Sequence, residues 1–140
     1  MGMGKALVEQ SEAARAVFAK ADAQLGFSLS TLCFEGSTAE LTDTVNQQPA
    51  LFVTSYATWQ VMQQQDWGLP AFVAGHSLGE LSALTMADSL SFADGLALVR
   101  RRGELMKMAG EREPGAMAAI LALKVEVVTE LCMSVTQELG

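Results

Sequence analysis

The segment of this sequence best suited to chemistry is a serine between two glycines, Gly75-His76-Ser77-Leu78-Gly79. It fits the G-x-S-x-G pattern, in which a tight turn between a strand and a helix exposes the serine hydroxyl, and the glycines let the backbone turn without side-chain clashes. The turn would also place the Leu78 N–H at a helix N-terminus, where it can donate a hydrogen bond to a developing oxyanion. The pattern itself is short, so its context, apolar residues before and a helix after, is what favours a nucleophile over a structural turn.

The histidine beside this serine, His76, is the only one in the 140 residues. A catalytic histidine would take the serine proton as a general base. Adjacent side chains on a tight turn diverge, however, so His76 is poorly placed for that role. The sequence favours a histidine that packs or hydrogen-bonds within the turn.

A second candidate for chemistry is Arg102, the only charged residue on the apolar half of a predicted helix over residues 92–108. A guanidinium cannot lose its charge, so on a buried face it needs an anionic partner or several acceptors. Two partners are open at this point. One is an internal Asp or Glu in a structural ion pair, and the other is the carboxylate of a substrate.

Composition excludes several classes of protein. Half of the residues are apolar, so the chain can form one compact domain or part of one. The 16 acidic residues outnumber the nine basic ones, which argues against a nucleic-acid or anionic membrane surface. One histidine and two distant cysteines, Cys33 and Cys132, argue against a zinc site. No apolar run approaches the ~20 residues of a membrane span, and the N-terminus lacks a signal core, so a cytoplasmic protein is expected.

The elements that must position these residues are mostly helical. The patterns predict helices over residues 5–25, 38–43, 49–65, 78–87, 92–108 and 125–139, and strands over 71–74 and 116–123. Pro49 is expected in the first turn of its helix, and residues 26–37 are expected to be irregular. A parallel strand that is buried on both faces needs neighbouring strands. We therefore expect the chain to be part of a larger α/β protein.

Four segments of the chain resemble one known family. Residues 75–84 closely resemble the nucleophile segment of malonyl-CoA:acyl carrier protein transacylases, the acyltransferases of fatty-acid and polyketide synthesis. Residues 47–51 resemble the family's Q-P-A-L helix start, residues 100–106 its R-G-x-x-M segment, and residues 114–120 its G-A-M-A-A strand. Four motifs in the right order are far more specific than G-x-S-x-G alone.

The resemblance implies a fold and a domain division. Residues 1–113 would form a helix-rich, α/β-hydrolase-like large subdomain with an incomplete parallel sheet that lacks its first strand. Residues 114–140 would form the first strand and helix of a ferredoxin-like small subdomain. In the family, a G-Q-G-S-Q loop would precede Met1 and the catalytic histidine would follow Gly140. We therefore expect the 140 residues to be a fragment that depends on the missing N- and C-terminal parts and is inactive by itself.

The resemblance also implies a reaction and its residues. Ser77 would take a malonyl group from malonyl-CoA and pass it to the phosphopantetheine thiol of acyl carrier protein, while the Leu78 N–H binds the oxyanion. Arg102 would bind the malonyl carboxylate, and Gln48 and His76 would be further substrate-binding residues. The partners would be a coenzyme A thioester and acyl carrier protein, with no permanently bound cofactor or metal. Acyl carrier protein is acidic, so the net charge of −7 does not by itself favour docking.

Two other classes of function remain open. A serine hydrolase, of the α/β-hydrolase or patatin-like type, would use the same turn. Patatin-like enzymes need an Asp in a D-G-[GA] turn, whereas the Asp94-Gly95 pair lies in a predicted helix and is followed by Leu96. The remaining class is a non-catalytic fragment or binding module.

Overall fold

The computed structural model describes residues 2–65, 68–116 and 120–139. These residues form helices and no strand. The helices are α1 (Lys5–Gln10), α2 (Glu12–Leu25), α3 (Leu29–Glu35), α4 (Thr38–Thr42), α5 (Thr44–Gln63), α6 (Leu78–Met86), α7 (Phe92–Arg112) and α8 (Val125–Leu139). None of the helices in these ranges is long and apolar enough to cross a membrane.

Serine caps divide the N-terminal region more finely than its apolar pattern predicts. The single helix predicted over residues 5–25 is wrong, because Ser11 is extended and its side chain accepts a hydrogen bond from the Ala14 N–H, which starts α2. The stretch predicted to be irregular contains α3, whose N-cap Ser28 accepts from the Thr31 N–H. The capping box expected before α4 is present, with Ser37 and Glu40 each bonding to the backbone of the other.

Pro49 lies inside α5, so its predicted place in the first turn is wrong. The helix begins at Thr44, where the Asp43 side chain accepts from the Val45 N–H as the N-cap. Proline has no N–H, so the carbonyl four residues earlier, that of Val45, loses its helical partner. Arg100 on α7 replaces that partner, since its Nη1 donates to the Val45 oxygen at 3.2 Å. The proline is therefore tolerated through a contact between two helices, which no local pattern reveals.

Helix α5 is the centre of the fold and contacts α2, α6 and α7. This agrees with the prediction that a helix with apolar residues on most sides is buried on more than one face. Its Phe52 stacks on Phe92 of α7, with ring centroids 5.7 Å apart. The largest fully buried side chains of the core include Phe18, Phe52, Leu29, Leu96, Val53 and Val99.

Two glycines allow α7 to pack closely against its neighbours. A Cβ at Gly95 would lie 2.6 Å from the Phe52 ring. A Cβ at Gly103 would lie 2.7 Å from the Thr44 carbonyl oxygen. Real Cβ atoms do not approach so closely, so both positions require glycine while the helices keep this spacing. Arg102 directly precedes the second contact and is thereby held close to the start of α5.

The two predicted strands are not formed in the described residues. The segment before the serine turn is apolar but exposed, with Leu69 78% and Phe72 93% accessible. A strand exists only through pairing, and no described segment pairs with residues 71–74. Of the predicted strand over 116–123, residues 117–119 lie outside the described residues, and Ala122 has a positive φ of 61°. Helix α8 follows as predicted, with no buried residue.

Candidate active site

Ser77 occupies the N-cap position of α6 in a strained conformation, with φ 56° and ψ −114°. A non-glycine residue held in such a sparsely populated region costs about 1–3 kcal/mol, and strain of this kind is concentrated at functional sites. The N-cap serines of α2, α3, α4 and α7 all accept a backbone hydrogen bond. The Ser77 side chain makes no such cap bond. Its exposed hydroxyl therefore remains available for contacts outside the helix.

One of the two flanking glycines explains the tightness of this turn. A Cβ at Gly75 would collide with the carbonyl group of Gly79. The turn is closed by the Gly79 N–H, which donates to the His76 carbonyl at 2.9 Å. A Cβ at Gly79, in contrast, would meet no described atom within 4 Å. The expectation that both glycines prevent clashes therefore holds for Gly75 alone.

The Leu78 N–H lies in the first turn of α6, directly after the serine. The N–H groups of a first helical turn have no partner within their own helix, and the helix dipole favours negative charge there. Within the described ranges, the Leu78 N–H donates to no acceptor. It is therefore a donor suited to an oxyanion that develops beside Ser77.

The guanidinium of Arg102 joins two of the other predicted site residues. Its Nη2 donates to the Ser77 Oγ at 2.9 Å, and its Nη1 donates to the Gln48 Oε1 at 2.6 Å. Three side chains that are 25 to 54 residues apart in sequence thus meet at one place. The arginine links α7, the start of α5 and the turn before α6.

Arg102 has no carboxylate partner among the described residues, because the nearby Glu104 binds other arginines. Arg100 and Arg101 both bind Glu104, at 3.2 and 3.1 Å. Hydrogen bonds from these arginines, that of Arg101 above all, lower the pKa of Glu104 and keep it ionised. In the part of the chain that the structure describes, no carboxylate lies within 4.0 Å of Arg102. The structural ion pair considered from the sequence is therefore not formed by these residues.

The apolar half predicted for α7 is only partly buried. Leu96 and Val99 are fully buried, while Leu98 and Leu105 are each 48% exposed. The buried stripe is narrower than the predicted half because, among the described residues, most of the packing against α7 comes from α5 and α6. Arg102 itself is half-buried and reaches from this stripe toward the serine.

His76 does not join this cluster. Its side chain is exposed, so it does not pack in the turn as expected. Among the described residues, the side chain that hydrogen-bonds to Ser77 Oγ is that of Arg102. Asp94, the aspartate weighed for a hydrolase, accepts from the Ser91 hydroxyl at 2.6 Å as part of the cap of α7. Neither residue is engaged as a base for Ser77.

Sequence reasoning missed the residues that surround Gln48. Its Nε2 donates to the Thr44 hydroxyl at 3.0 Å and to the Met106 sulfur at 3.2 Å. Thr44 and Gln48 are one helical turn apart, a spacing that brings side chains together. That signal was hidden because the predicted helix began at residue 49, after both of them. The Met106 contact depends on how α7 packs and has no local signal.

Comparisons with known proteins place this chain in a family. A family model described as "Acyl transferase domain" matches residues 1–137. The "Malonyl CoA-acyl carrier protein transacylase" of Bacillus subtilis strain 168 is 48% identical over 139 residues, covering 99% of this chain and 43% of that protein. The protein of the same name from Escherichia coli K12 is 45% identical over 115 residues, covering 82% of this chain and 37% of that protein.

Solved structures give the same result for the fold. The crystal structure of FabD from Acinetobacter baumannii superposes with a TM-score of 0.88 at 43% identity, covering 98% of this chain and 43% of that one. A malonyl-transacylase in complex with a type II polyketide synthase acyl-carrier protein superposes with a TM-score of 0.87 at 36% identity, covering 99% and 45%. The chain spans less than half the length of these relatives, and its helices form part of an acyltransferase fold. The resemblance seen in its four motifs is confirmed, and the chain belongs to the acyl transferase family.

Proposed function

We propose that Ser77 accepts a malonyl group from malonyl-CoA and passes it to the phosphopantetheine thiol of an acyl carrier protein. The observation that carries this proposal is the Arg102 guanidinium, which lies 2.9 Å from the Ser77 Oγ and has no carboxylate partner among the described residues. A nucleophile beside an uncompensated cation suits an acyl group that carries its own negative charge. The malonyl-transacylase activity for which its relatives are named supports the same reaction.

The reaction would proceed in two transfers through a covalent ester. The Ser77 oxygen attacks the thioester carbonyl, and the oxyanion that forms accepts a hydrogen bond from the Leu78 N–H. The carbon–sulfur bond then breaks, which releases the coenzyme A thiol and leaves malonyl-Ser77. The thiol of the acyl carrier protein attacks this ester in the same way and regenerates the serine. The exchange of one thiol for another needs no redox cofactor.

Arg102 would select the acyl group. In a malonyl group, a single methylene separates the carboxylate from the thioester carbonyl, so the two ends must be bound close together. The short distance between Arg102 and Ser77 supports this arrangement. An acetyl group would leave the half-buried guanidinium without an anion, so it would lose the charge-assisted hydrogen bonds that a malonyl carboxylate makes.

None of the residues that contact Ser77 in the described ranges is suited to take its proton, so the base would come from another part of the whole protein. His76 is exposed and makes no hydrogen bond with Ser77 within the described residues. We therefore propose that residues 1–140 alone transfer malonyl groups negligibly, and that the whole protein supplies a base and a second oxyanion donor. The role of His76 as a substrate contact stays a proposal, which the exposure of its side chain supports.

We also propose the division of the fold that the motifs imply. Residues 1–113 would belong to a large α/β subdomain in which residues 71–74 are a strand of a parallel sheet. The exposed apolar side chains Leu69 and Phe72 support this, because a sheet would bury them. Residues 114–140 would begin a ferredoxin-like small subdomain. The absence of buried residues in α8 supports a separate packing partner for it.

The test is transfer of the malonyl group to a phosphopantetheine thiol by the whole protein. Ser77→Ala should abolish it, whereas Ser89→Ala, which removes an exposed serine beyond α6, should retain it. The thiol product is measured by mass spectrometry after addition of acyl carrier protein. Equal transfer by Ser77→Ala and the wild type would reject the proposal.

A further inference from the structure

The most restrained polar group of the site is the Gln48 side chain. Gln48 is only 4% exposed. Its Oε1 accepts from the Arg102 Nη1 at 2.6 Å, a short distance that is typical of a charge-assisted hydrogen bond. The proposed transfer chemistry uses the arginine and the serine but assigns no step to this amide.

Two further contacts fix the orientation of the amide. The Nε2 donates to the Thr44 hydroxyl at 3.0 Å and lies 3.2 Å from the Met106 sulfur. Both N–H groups therefore point away from the arginine. Rotating the amide by 180° would place its N–H groups against the N–H groups of the guanidinium. It would also turn the amide oxygen toward the Thr44 hydroxyl and the Met106 sulfur. The oxygen is thus held toward Arg102.

The backbone beneath Gln48 is also held against α7. Arg100 donates to the Val45 carbonyl at 3.2 Å, and Gly103 allows α7 to lie against the backbone of Thr44. Lys107 bonds to the Asp43 carboxylate at the N-cap of α5. These contacts fix the start of α5 relative to α7, which carries Arg102. The Gln48 oxygen is therefore held at a constant position relative to the Arg102 guanidinium.

A neutral acceptor has a property here that a carboxylate would lack. The amide oxygen orients the guanidinium but leaves its positive charge uncompensated. A carboxylate in the same place would form an internal ion pair and compete with the carboxylate of a substrate. Arg100 and Arg101 share the carboxylate of Glu104, whereas Arg102 donates to the amide oxygen of Gln48.

We propose that Gln48 is a positioning residue that holds the Arg102 guanidinium toward Ser77 without neutralising it, and thereby sets the preference for acyl groups that carry a carboxylate. This inference rests on the proposed function. Gln48 acts through Arg102 and does not itself contact the reacting atoms.

The test compares two substitutions of Gln48 in the whole protein, with malonyl-CoA and acetyl-CoA as substrates. Gln48→Glu keeps the shape and adds the competing charge, so the KM for malonyl-CoA should rise about tenfold and the malonyl-to-acetyl ratio of kcat/KM should fall about tenfold. Gln48→Met keeps the length and removes the acceptor, so the same ratio should fall several-fold, mostly through KM. Gln47→Glu adds the same charge one residue earlier on α5 and should leave the ratio unchanged.

The outcomes separate this inference from the proposed function. If the wild type does not prefer malonyl-CoA, the proposed function fails and this inference fails with it. If the wild type prefers malonyl-CoA and Arg102→Ala abolishes the preference, but both Gln48 variants keep it, only the role of Gln48 is overturned. Circular dichroism and thermal unfolding accompany each variant. Loss of folding in both would assign Gln48 a structural role and would also overturn the inference.

Discussion

If the proposed function holds, replacing Arg102 with alanine should lower malonyl transfer and remove the preference for malonyl-CoA over acetyl-CoA. The substitution removes the guanidinium that donates to Ser77 at 2.9 Å and to Gln48 at 2.6 Å. Because no described carboxylate neutralises this group, its loss leaves no buried anion behind in the protein. The substitution does remove the donor to the buried Gln48 Oε1, which should cost about 1–3 kcal/mol of stability whichever thioester is used, so the loss specific to malonyl-CoA should come from the substrate carboxylate.

The size of the effect follows from the hydrogen bonds that a substrate carboxylate would lose. A hydrogen bond to a charged group contributes about 1.5–3 kcal/mol, and a carboxylate can accept two from one guanidinium. Arg102 is only half-buried, so the lower value applies. Two such bonds amount to about 3 kcal/mol, or about 100-fold in kcat/KM for malonyl-CoA. Acetyl-CoA has no carboxylate and should lose far less.

The assay measures kcat/KM for both thioesters with the whole protein. Arg101→Ala is the matched control, because it removes an exposed arginine one residue earlier that binds Glu104 at 3.1 Å. It should change the malonyl-to-acetyl ratio less than about twofold, as expected of an exposed ion pair. Equal losses for malonyl-CoA and acetyl-CoA in Arg102→Ala would show that the arginine is structural and would refute this reasoning.

Three further predictions concern the elements around the site. Gly103→Ala should destabilise the protein by about 1–3 kcal/mol and weaken the malonyl preference, because its Cβ would lie 2.7 Å from the backbone of α5; Gly110→Ala on the same helix, in open space, should not lower the Tm. Burial raises the pKa of the Cys33 thiol to about 11, so iodoacetamide at pH 8 should label only the exposed Cys132 until denaturant is added; rapid labelling of both would contradict this packing. The hydrogen bond from Lys107 of α7 lowers the pKa of Asp43. This bond therefore stabilises the protein fully above the usual Asp pKa of 3.8, and that stabilisation is lost as the pH falls through the lowered pKa. Asp43→Asn, which keeps an N-cap residue, should flatten that acid loss of thermal stability, and an unchanged pH profile would count against the pair.

The serine turn and the charged residue on α7 could be predicted because their signals are local. The turn depends on Gly75 and on the helix after Ser77, and both lie within a few residues of the serine. The helical period alone places Arg102 near the buried face of α7. The four motifs then identified the family, which the family model confirms over residues 1–137.

The contacts between α5 and α7 could not be predicted from local patterns. Pro49 suggested a helix start, but Arg100 satisfies the carbonyl that the proline leaves free, so the helix extends back to Thr44. The role of Gly103 depends on the neighbouring backbone, and the neutral partner of Arg102 depends on a residue 54 positions away. These features depend on tertiary packing, and the hydrophobic periodicity of a single sequence does not reveal contacts between distant residues. The predicted strand over 71–74 stays a prediction, because a strand requires partners.

Locating the acyl ester on the whole protein tests the central claim most directly. The protein is mixed with malonyl-CoA, quenched in acid and digested, and the peptides are sequenced by mass spectrometry. The account predicts a malonyl ester on Ser77 and on no other serine, with none in Ser77→Ala. An ester on another residue, or one that persists in Ser77→Ala, would contradict it.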